Sequence, residues 1–249
     1  KISKFNMISL VILAGIILLG FLLYYPVTAY GWITGPDLDS ILGNRLINRF
    51  SVNNIFDIFL SMSDGMYRPL TVLSLGLQAS WMPANPSVIF HWANLVLHLL
   101  CVVMLFRLVQ LLGRSNFMAG IAALIFCIHP LNTEAVAWIS SHGILLSTFF
   151  MLAGLLSYVY YTRPCRARGY FMQLSYLCFI LALLAHPISI IFPLFLILLD
   201  LLTGPSEQKS TRRKIPGFIL SAVFLFIAIA GMSGAGNDPQ DIMPAMAGR

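Results

Sequence analysis

Three sets of side chains in this sequence have the types and positions to do chemistry: five histidines, a pair of aspartates and an isolated arginine. The histidines are His91, His98, His129, His142 and His186. His91 and His98 are seven residues apart and so fall on one face of a helix. A ring of imidazoles at one membrane surface suits a metal, a haem or a phosphate. Interfacial histidines satisfied by water and backbone are the plainer reading. The chain has neither HExxH nor CxxCH, so no specific metal or haem is assigned. A divalent metal or a bound lipid phosphate remain the candidates, lined by His91, His98, His129 and Glu134. Asp37 and Asp39 stand in Gly35-Pro36-Asp37-Leu38-Asp39. A carboxylate there can take the proton of an acceptor hydroxyl, and the same Gly-Pro and Pro-Asp steps also mark a turn. Arg68 lies between Tyr67 and Pro69. Its guanidinium suits a pair of phosphate oxygens, or it snorkels to the interface. Cys101, Cys127, Cys165 and Cys178 form no CxxC pair and read as small hydrophobes.

The elements that hold these residues must be membrane helices. Of 249 residues, 59% are hydrophobic and 10% charged, with mean hydropathy +0.86. A soluble domain carries roughly 25% charged residues. A soluble globule, a disordered chain and a nucleic-acid binder are thereby excluded. The net charge of +6 needs no acidic partner, because basic loops on one membrane side produce it.

Apolar runs predict an all-α, polytopic protein with seven spans, at 7–25, 88–112, 117–129, 143–161, 170–185, 188–202 and 215–232. Each approaches the ~20 residues that cross a bilayer core, the shorter ones less closely. The first reads as an uncleaved helix. His129-Pro130 and His186-Pro187 read as punctuation, with proline starting the next element. The long first loop, 26–67 and on to 87, is predicted to hold a short interfacial helix at 52–62 and a re-entrant or surface helix at 69–81. One membrane domain is expected over 1–232 and an external tail over 233–249.

Charge orients the spans. Eleven of the 15 basic residues (Lys1, Lys4, Arg107, Arg114, Arg163, Arg166, Arg168, Lys209, Arg212, Arg213 and Lys214) fall on one side. Seven of nine acids fall on the other. The rule that basic loops stay inside places the N-terminus in the cytoplasm and the C-terminus outside, the membrane being the plasma or inner membrane if the chain is bacterial. All five histidines then map to the outer half.

Three segments occur in order: Tyr67-Arg68-Pro69-Leu70-Thr71-Val72-Leu73-Ser74, His91-Trp92-Ala93-Asn94-Leu95-Val96-Leu97-His98, and His129-Pro130-Leu131-Asn132-Thr133-Glu134-Ala135-Val136-Ala137-Trp138-Ile139-Ser140. Together they resemble the membrane domain of the transmembrane and tetratricopeptide-repeat O-mannosyltransferases and their bacterial relatives, which have the GT-C glycosyltransferase fold. The resemblance covers roughly residues 30–230. It implies an inverting transfer of a sugar from a polyprenyl-phosphate donor to a protein hydroxyl on the non-cytoplasmic face. It also implies membrane lipid as a partner and no nucleic acid.

Carried over by position, the family's acidic site falls on Asp37, with Asp39 next. Arg68 takes the arginine of the YRPL segment, and Glu134 the acid after His-Pro. His142 and His186 stand where relatives carry cations and are implied to face the donor phosphate, partly charged at neutral pH. Ile144 stands where an acid is usual. These departures, with the family's later helices and repeats absent from the sequence, support a second reading: a catalytically lapsed module serving as a structural subunit of a larger membrane complex.

Overall fold

A computed structural model describes residues 7–32, 41, 43–63, 65–81, 86–163, 168–203 and 211–235. Asp37, Asp39 and most of the expected tail lie outside the described residues.

The helices run, in chain order, α1 Met7–Tyr24, α2 Arg45–Asn48, α3 Ile55–Leu60, α4 Pro69–Trp81, α5 Pro86–Leu111, α6 Asn116–Ile128, α7 Pro130–Ala137, α8 His142–Tyr161, α9 Arg168–Ala185, α10 Phe192–Thr203 and α11 Ile215–Ala235. Among the described residues every regular element is helical, apart from one isolated bridge between Ser63 and Met66. Helix is what lipid demands, since it satisfies each backbone polar group within its own segment.

Four stretches are long and apolar enough to cross a membrane: Met7–Ala29, Ser87–Leu111, Ile139–Tyr161 and Arg212–Gly231. The protein is therefore integral to a membrane, but the expected count of seven spans is not reached. At the third expected span α6 has only 13 residues, about 20 Å. α7 follows at an angle of 57°. The cause is Pro130, which lacks an N–H and forces His129 out of helical geometry, to φ −63 and ψ 130. The expected spans at 170–185 and 188–202 are shorter apolar helices, parted by a 3-10 turn over Pro187–Ile191. Both prolines occupy first-turn positions, and both preceding histidines accept a backbone N–H two residues on.

Side-chain bonds set the helix directions. Ser175 Oγ of α9 donates to the Gly154 carbonyl of α8 at 2.9 Å, while Thr71 Oγ1 meets Ala185 O beside Gly143. α9 thus runs antiparallel to α8. Phe192 lies against Gly154 and Tyr158 bonds Asp200, so α10 runs back alongside α8. Among the described residues the contact between α8 and α9 is the most extensive. It is close because its residues are small: a Cβ at Gly154 would lie 2.9 Å from Phe192 and 3.2 Å from Ser175 O. Leu155, Phe179, Leu183 and Leu196 fill the core around it. A second core joins α1, α5 and α6 through Ile16, Phe106 and Ala123.

The two ends of the bundle differ. At one, Arg107 bonds Tyr160, Arg213 bonds Tyr161, and Lys214 pairs with Asp200, which also accepts from Tyr158 at 2.9 Å. We call this the basic end. The other, the histidine end, holds α2, α3 and α4. The interfacial helix expected at 52–62 is α3, with a 3-10 turn over Val52–Asn54 before it. Ile58 points inward, Phe56 and Leu60 outward. α4 has the bounds expected for it and lies against α5, α8 and α9. α11 reaches this end too, where Gly231 approaches Gly65 O.

Candidate functional site

α4 carries a polar stripe. Thr71, Ser74 and Gln78 follow one another at helical spacing on an otherwise apolar segment, with Arg68 one turn before. Thr71 Oγ1 donates to Ala185 O at 2.7 Å and so ties α4 to the end of α9.

Ser74 and Gln78 meet His142, the first residue of α8, which is 1% exposed. Asn94 of α5 decides how this ring is used. Its Nδ2 faces two backbone carbonyls, Trp138 O at 3.0 Å and Val136 O at 3.5 Å. Oδ1 therefore faces His142 Nδ1, at 2.7 Å, and can only accept. That leaves Nε2 to accept from Ser74 Oγ at 2.9 Å and Gln78 Nε2 at 3.3 Å. Both ring nitrogens are engaged within the protein, and the ring joins α4, α5 and α8.

Arg68 is 9% exposed and donates from Nη2 to Ser63 Oγ at 3.4 Å. The same hydroxyl accepts from Asn44 Nδ2 at 3.3 Å. A narrow crevice lined by Ile41, Ser63, Arg68, Thr71 and Ser140 lies here. His186 stands close enough to feel the arginine. Burial, with the Arg68 charge adding to it, pushes this imidazole down to about 4. The expectation of partial charge at neutral pH is thus corrected: His186 is neutral there. Its Nδ1 accepts from Ile188 N at 3.2 Å, so Nε2 carries the proton.

The remaining histidines do not join this cluster in a single cavity. His98 is fully buried, its Nε2 3.1 Å from Cys127 O, stacked on Phe126 and edge-on to Tyr24. His91 is buried with Nε2 3.4 Å from Gly31 O. His129 is exposed and caps α7. Glu134 is exposed on α7. Among the described residues no three His, Cys, Asp or Glu side chains are grouped to hold a metal ion.

Asn94, Ser74, Gln78 and Thr71 were not singled out from sequence. Two signals were present: an asparagine inside an apolar span, where polar groups are expensive, and polar residues recurring at 71, 74 and 78.

With the cluster described, the relatives of the chain can be placed. It is 36% identical over 99 residues to protein O-mannosyl-transferase TMTC1 of Mus musculus, covering 39% of this chain and 10% of the relative. This chain is similar to the protein O-mannosyl-transferases. It is 37% identical over 92 residues to TMTC3 of Homo sapiens (37% of this chain, 10% of the relative). It is 33% identical over 136 residues to tmtc2 of Xenopus laevis (54% and 16%). The matched segments thus span between 10% and 16% of these O-mannosyl-transferases. No protein-family model and no solved structure matches the chain.

Proposed function

We propose that this chain is part of a GT-C-type membrane mannosyltransferase. It would move a sugar from a polyprenyl-phosphate donor to a protein hydroxyl at the histidine end, on the non-cytoplasmic face, with the N-terminus inside. The observation that carries the reading is Arg68, buried at the crevice it lines with Ser63, Thr71 and Ser140 at that end, on a chain whose relatives are named O-mannosyl-transferases. Arg68 supplies a permanent positive charge for a departing phosphate, and neutral His186 offers Nε2–H as a hydrogen-bond donor. Asp37, or Asp39 after it, acts as the base on the acceptor hydroxyl. His142 acts indirectly, by holding α4 and hence Arg68 in place. Seven crossings fit this reading if α6 with α7, α9 and α10 each traverse a locally thinned bilayer.

The test is transfer from a polyprenyl-phosphate sugar to an acceptor peptide by the membrane-embedded protein. Asp37→Asn removes the proton acceptor and lowers transfer roughly 10²–10⁴-fold, while Asp39→Asn lowers it much less. Undiminished transfer by Asp37→Asn overturns the assignment of the base.

The structural-subunit reading draws on His142, whose ring is consumed by internal bonds. It wins if the protein transfers no sugar from any such donor while a larger complex disassembles without it.

A further inference from the structure

A second feature runs along α8 from Thr148 toward the basic end. Between α5 and α10, with α8 as floor, runs a groove enclosing about 390 Å³. Its lining includes Leu105 and Leu108, Met151 and Leu155, and Phe195 and Leu198. It begins at Thr148, in the second turn of α8, and at Ile188 and Ile191. Leu112 and Leu202 line it and also line a second pocket, so the two adjoin across these side chains. That second pocket is mixed: Thr162, Arg163 and Thr203 border it together with Leu111, Leu112, Val159 and Leu202. From Thr148 to Arg163 is 15 residues, about 22 Å of helix. Half of a ~30 Å hydrocarbon core plus its interface is of this depth. The two pockets taken together therefore have the length of one lipid leaflet, apolar at one end and bordered by Arg163 at the other.

Charge selects among lipids. Arg163 is held at the pocket rim by donating to Leu111 O, an end carbonyl of α5. Arg107, Arg114, Arg212 and Arg213 belong to the same end. Among the described residues Asp200 is the acid of this end, and Lys214 neutralises it.

We infer that this groove is a binding site for an anionic phospholipid, its acyl chain between α5, α8 and α10 and its phosphate at Arg163. The apolar end of the groove reaches Ile188, next to His186, while the phosphate position at Arg163 lies at the other end, and the inference does not depend on the transferase reading. A bound lipid there would fill the gap between α5 and α10 and brace the bundle from its basic end.

A tryptophan reporter tests it. The four native tryptophans, Trp32, Trp81, Trp92 and Trp138, are outside the groove, so the quenching of Leu198→Trp beyond that of the parent protein reports from the groove. The variant is reconstituted in phosphatidylcholine vesicles containing brominated phosphatidylglycerol or brominated phosphatidylcholine at equal fractions. The expected result is several-fold preferential quenching by the glycerol lipid. Arg163→Gln on the reporter should bring the preference close to one, and Arg163→Lys should retain most of it. If Arg163→Gln does not assemble, the parent reporter and the lysine variant still decide. Equal quenching by the two lipids overturns the proposal. So does a preference unchanged in Arg163→Gln, or one abolished by millimolar inorganic phosphate, which would mean that free phosphate is the ligand. Absence of quenching by either lipid also overturns it, by showing protein over the groove.

Discussion

Asn94 Oδ1 accepts a hydrogen bond from His142 Nδ1 at 2.7 Å, across two helices that begin 56 residues apart. The asparagine amide is itself oriented by the carbonyls of Val136 and Trp138. One side chain thus fixes the ring that fixes α4.

Replacing Asn94 by leucine leaves the buried ring Nδ1–H without its acceptor and removes a donor from the Val136 carbonyl, while Trp138 O keeps Ser141 N. Each such loss costs about 1–3 kcal/mol, so a clear fall in the thermal unfolding temperature in detergent is expected. Ser74→Ala should do less, because Gln78 still donates to Nε2. Equal stability of Asn94→Leu and the parent would show that the network carries no load.

His186 gives a pH dependence of known sign. Its imidazole titrates near 6.5 when unfolded and at about 4 in the fold. The unfolded chain therefore binds the extra proton first. The group's contribution is whole above 6.5 and is lost as pH falls from 6.5 toward 4. His186→Asn keeps a capping acceptor for Ile188 N and removes the titration. Between pH 7 and 4 the parent should lose more stability than this variant. Parallel denaturation profiles for the two would refute the shifted imidazole. Any transfer activity should likewise show no rise as pH falls through 6.5, since His186 gains no charge there.

At the basic end Lys214 and Asp200 form an ion pair with side chains only 4% and 13% exposed. Removing one partner strands the other charge, which costs about 3–5 kcal/mol. Lys214→Met and Asp200→Leu should each lower the unfolding midpoint, and the double variant should recover most of the loss. Simple addition of the two losses would show that the residues are not coupled.

The sequence by itself determined the medium, the helical class and the punctuation. Apolar runs without charge can be stable only in lipid, and in lipid only as helices or closed barrels. The bounds of α4, the start of α11 and the two His-Pro caps follow from proline and apolar composition, which act locally. Spacing and resemblance also pointed to Arg68 and His186. Tertiary structure decided the rest. The apolar run at 117–129 could not reveal that α6 ends short and turns through 57° into α7. The state of His186 depends on Arg68, 118 residues away in sequence, and on burial that packing alone creates. The use of His142 depends on Asn94, Ser74 and Gln78 arriving from two other helices. Hydrogen bonds and desolvation act over a few ångströms in space, so residue type and spacing cannot assign them until the helices have packed.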